Sequence, residues 1–499
     1  MEDLVPAPKI NFIPCIRWVK RGVAKENPDK VELTEEELQA VISQTKTEID
    51  ENENGEIEVR NGVEDDKGSN GDEFDFAHYD DDDDGAGVNV GNIIVSANTS
   101  KDPYITLEED EDEEDSERED DIIRPNDNLV LVGHVEGDAT VLEVYVYNEE
   151  EESLYVHHDV LLPSFPLCIE WLGFEPKSGG APGNLCAVGT MSPVIEIWDL
   201  DLVDCIEAVC KLGRKKSKKK GIKAVGHKDA VLDISWNTIF PHILASGSVD
   251  QTVLLWDLDN CLPASKFKSF TEKVQSLKWH PFESQTLLTG CCDGGARVFD
   301  CRTEDSFKLW KVDGEVERVL WNHFNPFHFF VSTSTGYINY IDCRCDEPVW
   351  TIYAHTKEVT GLSMSTQCPG LLVSASTEGV MKIWDVTDHQ DAKGPKLVNE
   401  KNLGLGAVHC LEGSPNSPFV FCAGGDQRDN NFKVMDIRYN DVAVEQHFSS
   451  RELLCIKTEA DDQPSTSEPM DTTCEAAEAL QSLSLKGRHK KNKKNNIVK

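Results

Sequence analysis

Apolar and polar positions alternate along most of this chain in short runs, and the runs recur. One element reads apolar-x-x-apolar-x-Trp. It occurs as PLCIEW ending at Trp171, VLDISW at Trp236, VQSLKW at Trp279 and VERVLW at Trp321, the last three spaced 43 and 42 residues apart. A turn-forming stretch follows three of them: NTIFP, HPFES and NHFNP. A second apolar run then ends in small residues, as in ILASGSVD, TLLTGCCD and LLVSASTE. A third alternates and closes on Asp: IEIWD, VLLWD, ARVFD, YINYID, MKIWD and FKVMD. Alternation over so few residues, rich in Val, Ile and aromatics and bounded by Gly, Asp and Ser, predicts strands joined by hairpins. None of the runs sustains the ten or so residues of 3.6 periodicity that a helix needs.

Four strands every forty-odd residues is the length of a propeller blade, so the pattern predicts an all-β fold. SGSVDQTVLLWD, preceded by GHKDAV, resembles the WD40 repeat. That resemblance implies a buried hydrogen-bond tetrad of His227, Asp250, Trp256 and either Ser246 or Ser248. AHTKEV through SASTEGVMKIWD is a second match, with His355 and Trp384 kept and Glu378 in place of Asp. Elsewhere Phe299, Ile341 and Met435 replace the strand Trp, and the His is missing before Trp279 and Trp321. Those blades are expected to hold by packing alone.

FIPCIRW, ending at Trp18, fits the same element but runs into acidic sequence. Its missing strands resume at LVLVGHVEGD, ATVLEVYVYN and LYVHHDVLL. Residues 10–20 and 128–162 therefore read as one blade split by an insertion, since long insertions cost little closure entropy. Counting it gives a seven-bladed WD40 β-propeller over residues 128–450 together with 10–20. Residues 24–127 are then a disordered acidic insertion, and 451–499 a disordered tail.

Charge supports this division. Of the net −42, residues 25–127 carry 37 acidic against 8 basic side chains. The densest runs are Asp80, Asp81, Asp82, Asp83, Asp84 and then Glu108, Glu109, Asp110, Glu111, Asp112, Glu113, Glu114, Asp115. Such runs repel themselves and bury nothing, so the segment reads as an arm for basic partners. Ser116, with acids on both sides, is a candidate phosphorylation site that would deepen the charge. Thr34 with Glu37 forms a capping box at the head of an apolar stripe, a candidate docking helix.

Two basic clusters oppose this field: Arg214, Lys215, Lys216, Lys218, Lys219, Lys220, and the tail's Arg488, Lys490, Lys491, Lys493, Lys494. They read as nuclear-targeting segments. The first is expected after the third strand of blade two, on the side of the disc where the acidic arm leaves, so that the two could pair.

Several classes of function are disfavoured. The chain shows no phosphate-binding loop, nucleophile elbow, HExxH helix or dinucleotide fingerprint, so no catalytic or cofactor-binding residue is assigned. The cysteines sit mostly singly in apolar runs, as small hydrophobes, without the paired spacing of a zinc site. No apolar run approaches the ~18 residues of a membrane span, and the N-terminus lacks a signal peptide's features, so a soluble intracellular protein is expected. Basic clusters without interleaved aromatics argue for nucleic-acid contact that is at most indirect or non-specific.

Taken together, IRWVKRGVA near the N-terminus, the acidic insertion, the recurring strand Trp and the basic tail resemble the periodic tryptophan protein family of the WD-repeat superfamily. The resemblance spans essentially the whole chain. It implies a non-catalytic nuclear and nucleolar scaffold in ribosome biogenesis, ribosomal RNA gene transcription and chromatin association. Its partners would be histones, ribosomal proteins and nucleolar transcription or assembly factors. The competing reading is a substrate receptor of a cullin–RING ubiquitin ligase. It rests on three Asp-x-Arg triplets after third strands, at Arg302, Arg344 and Arg438.

Overall fold

The computed structural model describes residues 10–31, 122–179, 181–216, 223–303, 306–387 and 394–454, and the backbone of two short strands in between. The chain divides into two compact units, Met1–Lys30 with Asp120–Lys499, and Val31–Glu119. Within the second, Val88–Val90 pairs antiparallel with Ile93–Val95.

The first unit is a ring of seven antiparallel blades, six of four strands and a last of three. The innermost strands are Asn11–Trp18, Pro166–Leu172, Val231–Trp236, Val274–Trp279, Val316–Trp321, Gly361–Met364 and Val408–Gly413. Blade one is the split one. Asn11–Trp18 pairs with Asn128–Glu136, with Trp18 opposite Val130, across the whole length of the insertion.

The second strand of each blade is sandwiched between its neighbours and is almost wholly buried, as in Leu185–Thr190 and Val420–Gly425. Outer strands such as Leu262–Phe267 alternate exposed and covered positions instead. That difference explains why second strands read as continuous apolar and small residues while outer strands are faint in the sequence. Small residues end the second strands because the next blade lies close against them. A Cβ on Gly290 would sit 2.4 Å from Val316, and one on Gly189 would sit 3.0 Å from Ile234.

Six of the seven inner strands carry a bulge near their start, for example between Val274 and Ser276. An extra residue there bends the strand and increases its twist. In five of these six strands the position after the bulge lies three residues before the strand's last position, so much of one layer of side chains is repeated around the channel.

The ring closes without an exchanged strand. Blade one packs laterally on three-stranded blade seven through Ile13, Ile16 and Trp18 against Cys410, Val420 and Cys422. The repeat length of four strands per blade leads one to expect a fourth strand in blade seven as well. Among the described residues blade seven has three, and a helix, Val442–Phe448, follows the last of them. Val444 and Phe448 of that helix join Phe419 and Phe421 in the core. Asp385 holds the chain's exit by accepting hydrogen bonds from His447 (2.8 Å) and Arg451.

Two expected boundaries move. Residues up to Lys30 belong with the propeller: Asp29–Lys30 pairs in parallel with Leu202–Val203, and Ile123 donates its N–H to Glu26. At the other end Leu454 still bonds Gln367. Tertiary pairing orders these stems, which have no pattern of their own.

Candidate functional site: the central channel

An innermost strand has a neighbour on only one side, so its channel-facing N–H and C=O groups need other partners. The repeat supplies them from the adjacent blade. Trp321 donates its indole N–H to the Lys278 carbonyl at 3.1 Å, Trp279 to Ser235 at 3.0 Å, and Trp18 to Glu412 at 3.3 Å across the ring closure. Each acceptor occupies the same place, one residue before the last of the preceding inner strand. Trp171 and Trp236 bond within their own blades, to Asn184 and Pro241, and meet edge to face with centroids 6.1 Å apart. The recurring Trp of the sequence is thus a ring of interblade and intrablade ties at one end of the channel.

Side chains complete the scheme. In the layer just before the Trp, Glu170 accepts the Trp236 N–H, Ser235 that of Trp279 and Ser363 that of Gly413. In the layer after the bulge, Asp233 accepts from Leu277 and Ser276 from Val319, while Arg318 donates to Thr360. Two thiols do likewise: Cys168 donates to Val231 and Cys410 to Ile13. Burial pushes the Cys410 thiol up to about 12, so it is protonated and inert.

Arg17 of blade one bridges blades two and seven, 3.0 Å from Glu170 and 2.5 Å from Glu412. Burial raises Glu412 above the usual carboxylate range, against the pull of Arg17 and Lys278. His323 at the channel end is driven down to about 4 by burial and by the charges of Arg17 and Lys278, so it is neutral near pH 7. The channel forms a cavity of about 460 Å³ that opens at the tryptophan end. That volume is of ligand-binding size.

The structure brings His227, Ser246, Asp250 and Trp256 together in blade three. His227 contacts Ser246 at 2.7 Å and Asp250 at 3.2 Å, and Trp256 donates to Ser246 at 2.8 Å. Ser248, the other candidate, bonds Asp229 instead. In blade six, His355 contacts Glu378 at 2.7 Å and Ser374 at 2.8 Å, and Trp384 donates to Ser374. Ser374 was missed in the sequence, although SAS aligns with the SGS of blade three. Burial opposes ionisation of Asp250, but hydrogen bonds from His227 and Thr252 outweigh it and hold the carboxyl well below its usual range.

Blade four does not hold by packing alone. A buried Arg297–Asp293 ion pair of 2.5 Å stands where the His would be, with Arg297 over the Phe270 ring. The Asp-x-x-x-Arg spacing across that hairpin was the available signal. In blade two the Trp198 indole has no hydrogen-bond partner among the described residues.

The three Asp-x-Arg arginines are engaged locally. Arg302 pairs with Asp300, Arg344 with Asp342 and Arg438 with Asp436, and the last two also lie over Phe327 and Phe419.

The expected place of the first basic cluster is corrected. The fourth strand of blade two is Cys210–Leu212, and Arg214 follows it, pinned to Val225 by two backbone hydrogen bonds. Strands alternate in direction, so a loop after a fourth strand emerges at the opposite end from a loop after a first strand. The cluster therefore leaves from the face away from the stems of the acidic insertion. A short outer strand at 210–212 has little pattern, which is why the sequence placed the loop one strand early. The sulfurs of Cys210 and of Cys261 in blade three face each other across the blade boundary, so these two cysteines do not sit singly in apolar runs.

The acidic runs at 80–84 and 108–115, Ser116, the helix expected from Thr34, Lys218 to Lys220 and the basic tail lie outside the described residues. Among the described residues no cluster of His, Cys, Asp and Glu converges to hold a metal ion.

Blades, tetrads and ring together define a WD40-repeat propeller, and the family model "WD domain, G-beta repeat" matches residues 220–257, 262–300 and 346–385. The chain belongs to the periodic tryptophan protein 1 family. It is 43% identical to the periodic tryptophan protein 1 homolog of Drosophila melanogaster over 90% of this chain and 98% of that one. It is 31% identical to periodic tryptophan protein 1 of Saccharomyces cerevisiae over 80% and 83% of the two chains. A more distant similarity, 23% over 40% of this chain and 47% of the relative, is to a ribosome biogenesis protein, the WDR12 homolog of Drosophila mojavensis.

Proposed function

We propose that this protein is a non-catalytic, nuclear and nucleolar scaffold in ribosome biogenesis, whose acidic arm gathers basic partners onto a rigid propeller. The observation that carries the reading is the kinship over nearly the full chain to periodic tryptophan protein 1, supported by the more distant similarity to the ribosome biogenesis protein WDR12. The composition of the arm supports the choice of partner. Long-range attraction from dense negative charge favours histones, ribosomal proteins and other basic assembly factors. Participation in ribosomal RNA gene transcription and chromatin follows from the same partner chemistry. The basic segments serve nuclear entry, and phosphorylation at Ser116 strengthens the arm's field.

The test is affinity purification of the tagged chain from nuclease-treated nuclear extract, with and without residues 32–119. Histones or ribosome-assembly factors recovered with the full chain and lost with the deletion support the reading. Recovery of a cullin and its adaptor, lost when Arg302, Arg344 and Arg438 are replaced by Ala, would favour the ubiquitin-ligase alternative.

A further inference from the structure

The channel layer just before the Trp ring is built for a structural purpose at most positions. Glu170, Ser235 and Ser363 each accept a backbone N–H from the following blade. Arg17 is neutralised by Glu170 and Glu412, and Leu320 is apolar. Lys278 departs from this rule. An ammonium has three donors and no acceptor, so it cannot serve a neighbouring N–H. Among the described residues it makes neither a hydrogen bond nor an ion pair, although it lines the cavity. A half-buried cation without an acceptor is a cost that folding alone does not explain.

We propose that the cavity at the tryptophan end of the channel is a docking site for a peptide bearing an acidic side chain, whose carboxylate is received by Lys278. The nearby carboxylates already have other partners, and Lys278 acts on Glu412 only through its charge, without an ion pair. Glu170 and Glu412 face Arg17, and Asp233 is occupied by Ser276 and the Leu277 N–H. His323 adds no charge near neutral pH. The half-exposed rings of Trp171 and Trp236 line the same cavity as apolar walls, and Phe282 stands exposed in the turn that follows Trp279. An anionic group flanked by an apolar side chain therefore matches both features, and the volume admits one or two side chains rather than a folded domain. The proposal is independent of the acidic arm's charge, which favours partners of the opposite sign. The inference rests on the scaffold reading only in taking a peptide as the ligand.

Selection of short random peptides displayed on phage, against the intact chain and its Lys278→Met and Lys278→Glu variants, tests it. The expected result is a wild-type consensus with Asp or Glu at one fixed position. Changing that acid to its amide, or using Lys278→Met, should weaken binding about thirtyfold, the low end for losing one partner of a desolvated charge pair. Lys278→Glu should select Lys or Arg at the same position instead. Because the Lys278 charge also eases the burial of Glu412, the denaturation midpoint of Lys278→Met is measured beside wild type and binding is compared where both are folded, which separates loss of binding from loss of fold. A consensus without a fixed acid, equal binding by Lys278→Met, or no enrichment at all overturns the proposal. Displacement of the peptides by single-stranded RNA that itself depends on Lys278 would reassign the site to phosphate. None of these outcomes depends on residues 32–119, so failure here leaves the arm's test standing, and the reverse also holds.

Discussion

The indole N–H of Trp321 reaches 3.1 Å to the carbonyl oxygen of Lys278, one blade back, and the same step links Trp279 to Ser235. In three blades the tryptophan at this spacing satisfies a carbonyl on the open edge of the blade before it. Trp321→Phe keeps most of the apolar contact but leaves the Lys278 carbonyl without its donor. An unsatisfied buried acceptor costs about 1–3 kcal/mol, so the urea midpoint should fall accordingly. An unchanged midpoint would show that the indole bond is incidental to packing.

Arg17 ties three blades at the point where the ring closes. Arg17→Met should strand Glu170 and Glu412 as facing carboxylates. Breaking a buried pair costs about 3–5 kcal/mol, and the partial exposure of Arg17 places the expectation at the lower end. The deficit should shrink as pH falls, because burial already raises Glu412 in the fold, and without Arg17 its carboxyl takes up a proton there more readily than in the unfolded chain. Denaturation of both proteins across the acid range measures it, and a deficit independent of pH would count against the charge argument.

Ser246 accepts from Trp256 and contacts His227, so Ser246→Ala leaves two buried nitrogens without a partner. At about 1–3 kcal/mol for each unsatisfied group, this should be among the more damaging one-atom deletions in the propeller. Ser374→Ala should behave alike in blade six. The two blades share no partner, so the double variant should lose the sum of the single losses. Equilibrium unfolding of the three variants decides whether the tetrads act independently.

Acid should weaken the fold in two separate windows. Burial, and then the neighbouring charge of His157, drive His158 from an ordinary 6.5 down to about 4. His158 is neutral when folded and protonates when unfolded, so its contribution to stability should be level above pH 6.5 and decline towards pH 4. Asp250 and Glu378 have depressed values in the fold. Their contribution is complete above the ordinary carboxylate range and is lost only below it. His158→Phe should make the first decline shallower, leaving the share of His323, and leave the second window unchanged, as read by denaturation midpoints from about pH 8 downward.

The tetrads of blades three and six, the seven repeats and the interrupted first blade were legible because each leaves a local signature. Gly, Ser and Asp mark the hairpins, apolar residues the buried strands, and Trp the recurring last position of the inner strand. The Arg297–Asp293 pair and Ser374 were also written in the chain, in blades whose departures from the repeat drew attention away from them. Outer strands gave little warning. Cys210–Leu212 is only partly covered and has almost no pattern, so the loop that begins at Arg214 was placed on the wrong face.

By itself the sequence determined the strand periodicity, the blade count and the separation of an acidic segment from the fold, since all three depend on residues near one another in the chain. Only the tertiary structure decided how the ring closes, which stem residues join the propeller, and which channel side chains serve a neighbouring blade. Those relations join residues hundreds of positions apart, such as Arg17 with Glu412. Hydrophobic alternation records which face of a strand is buried, and it carries no record of which strand lies against that face. Lys278 shows the difference: in the sequence it is one more polar position before a tryptophan, and it stands out only beside the six residues that share its layer.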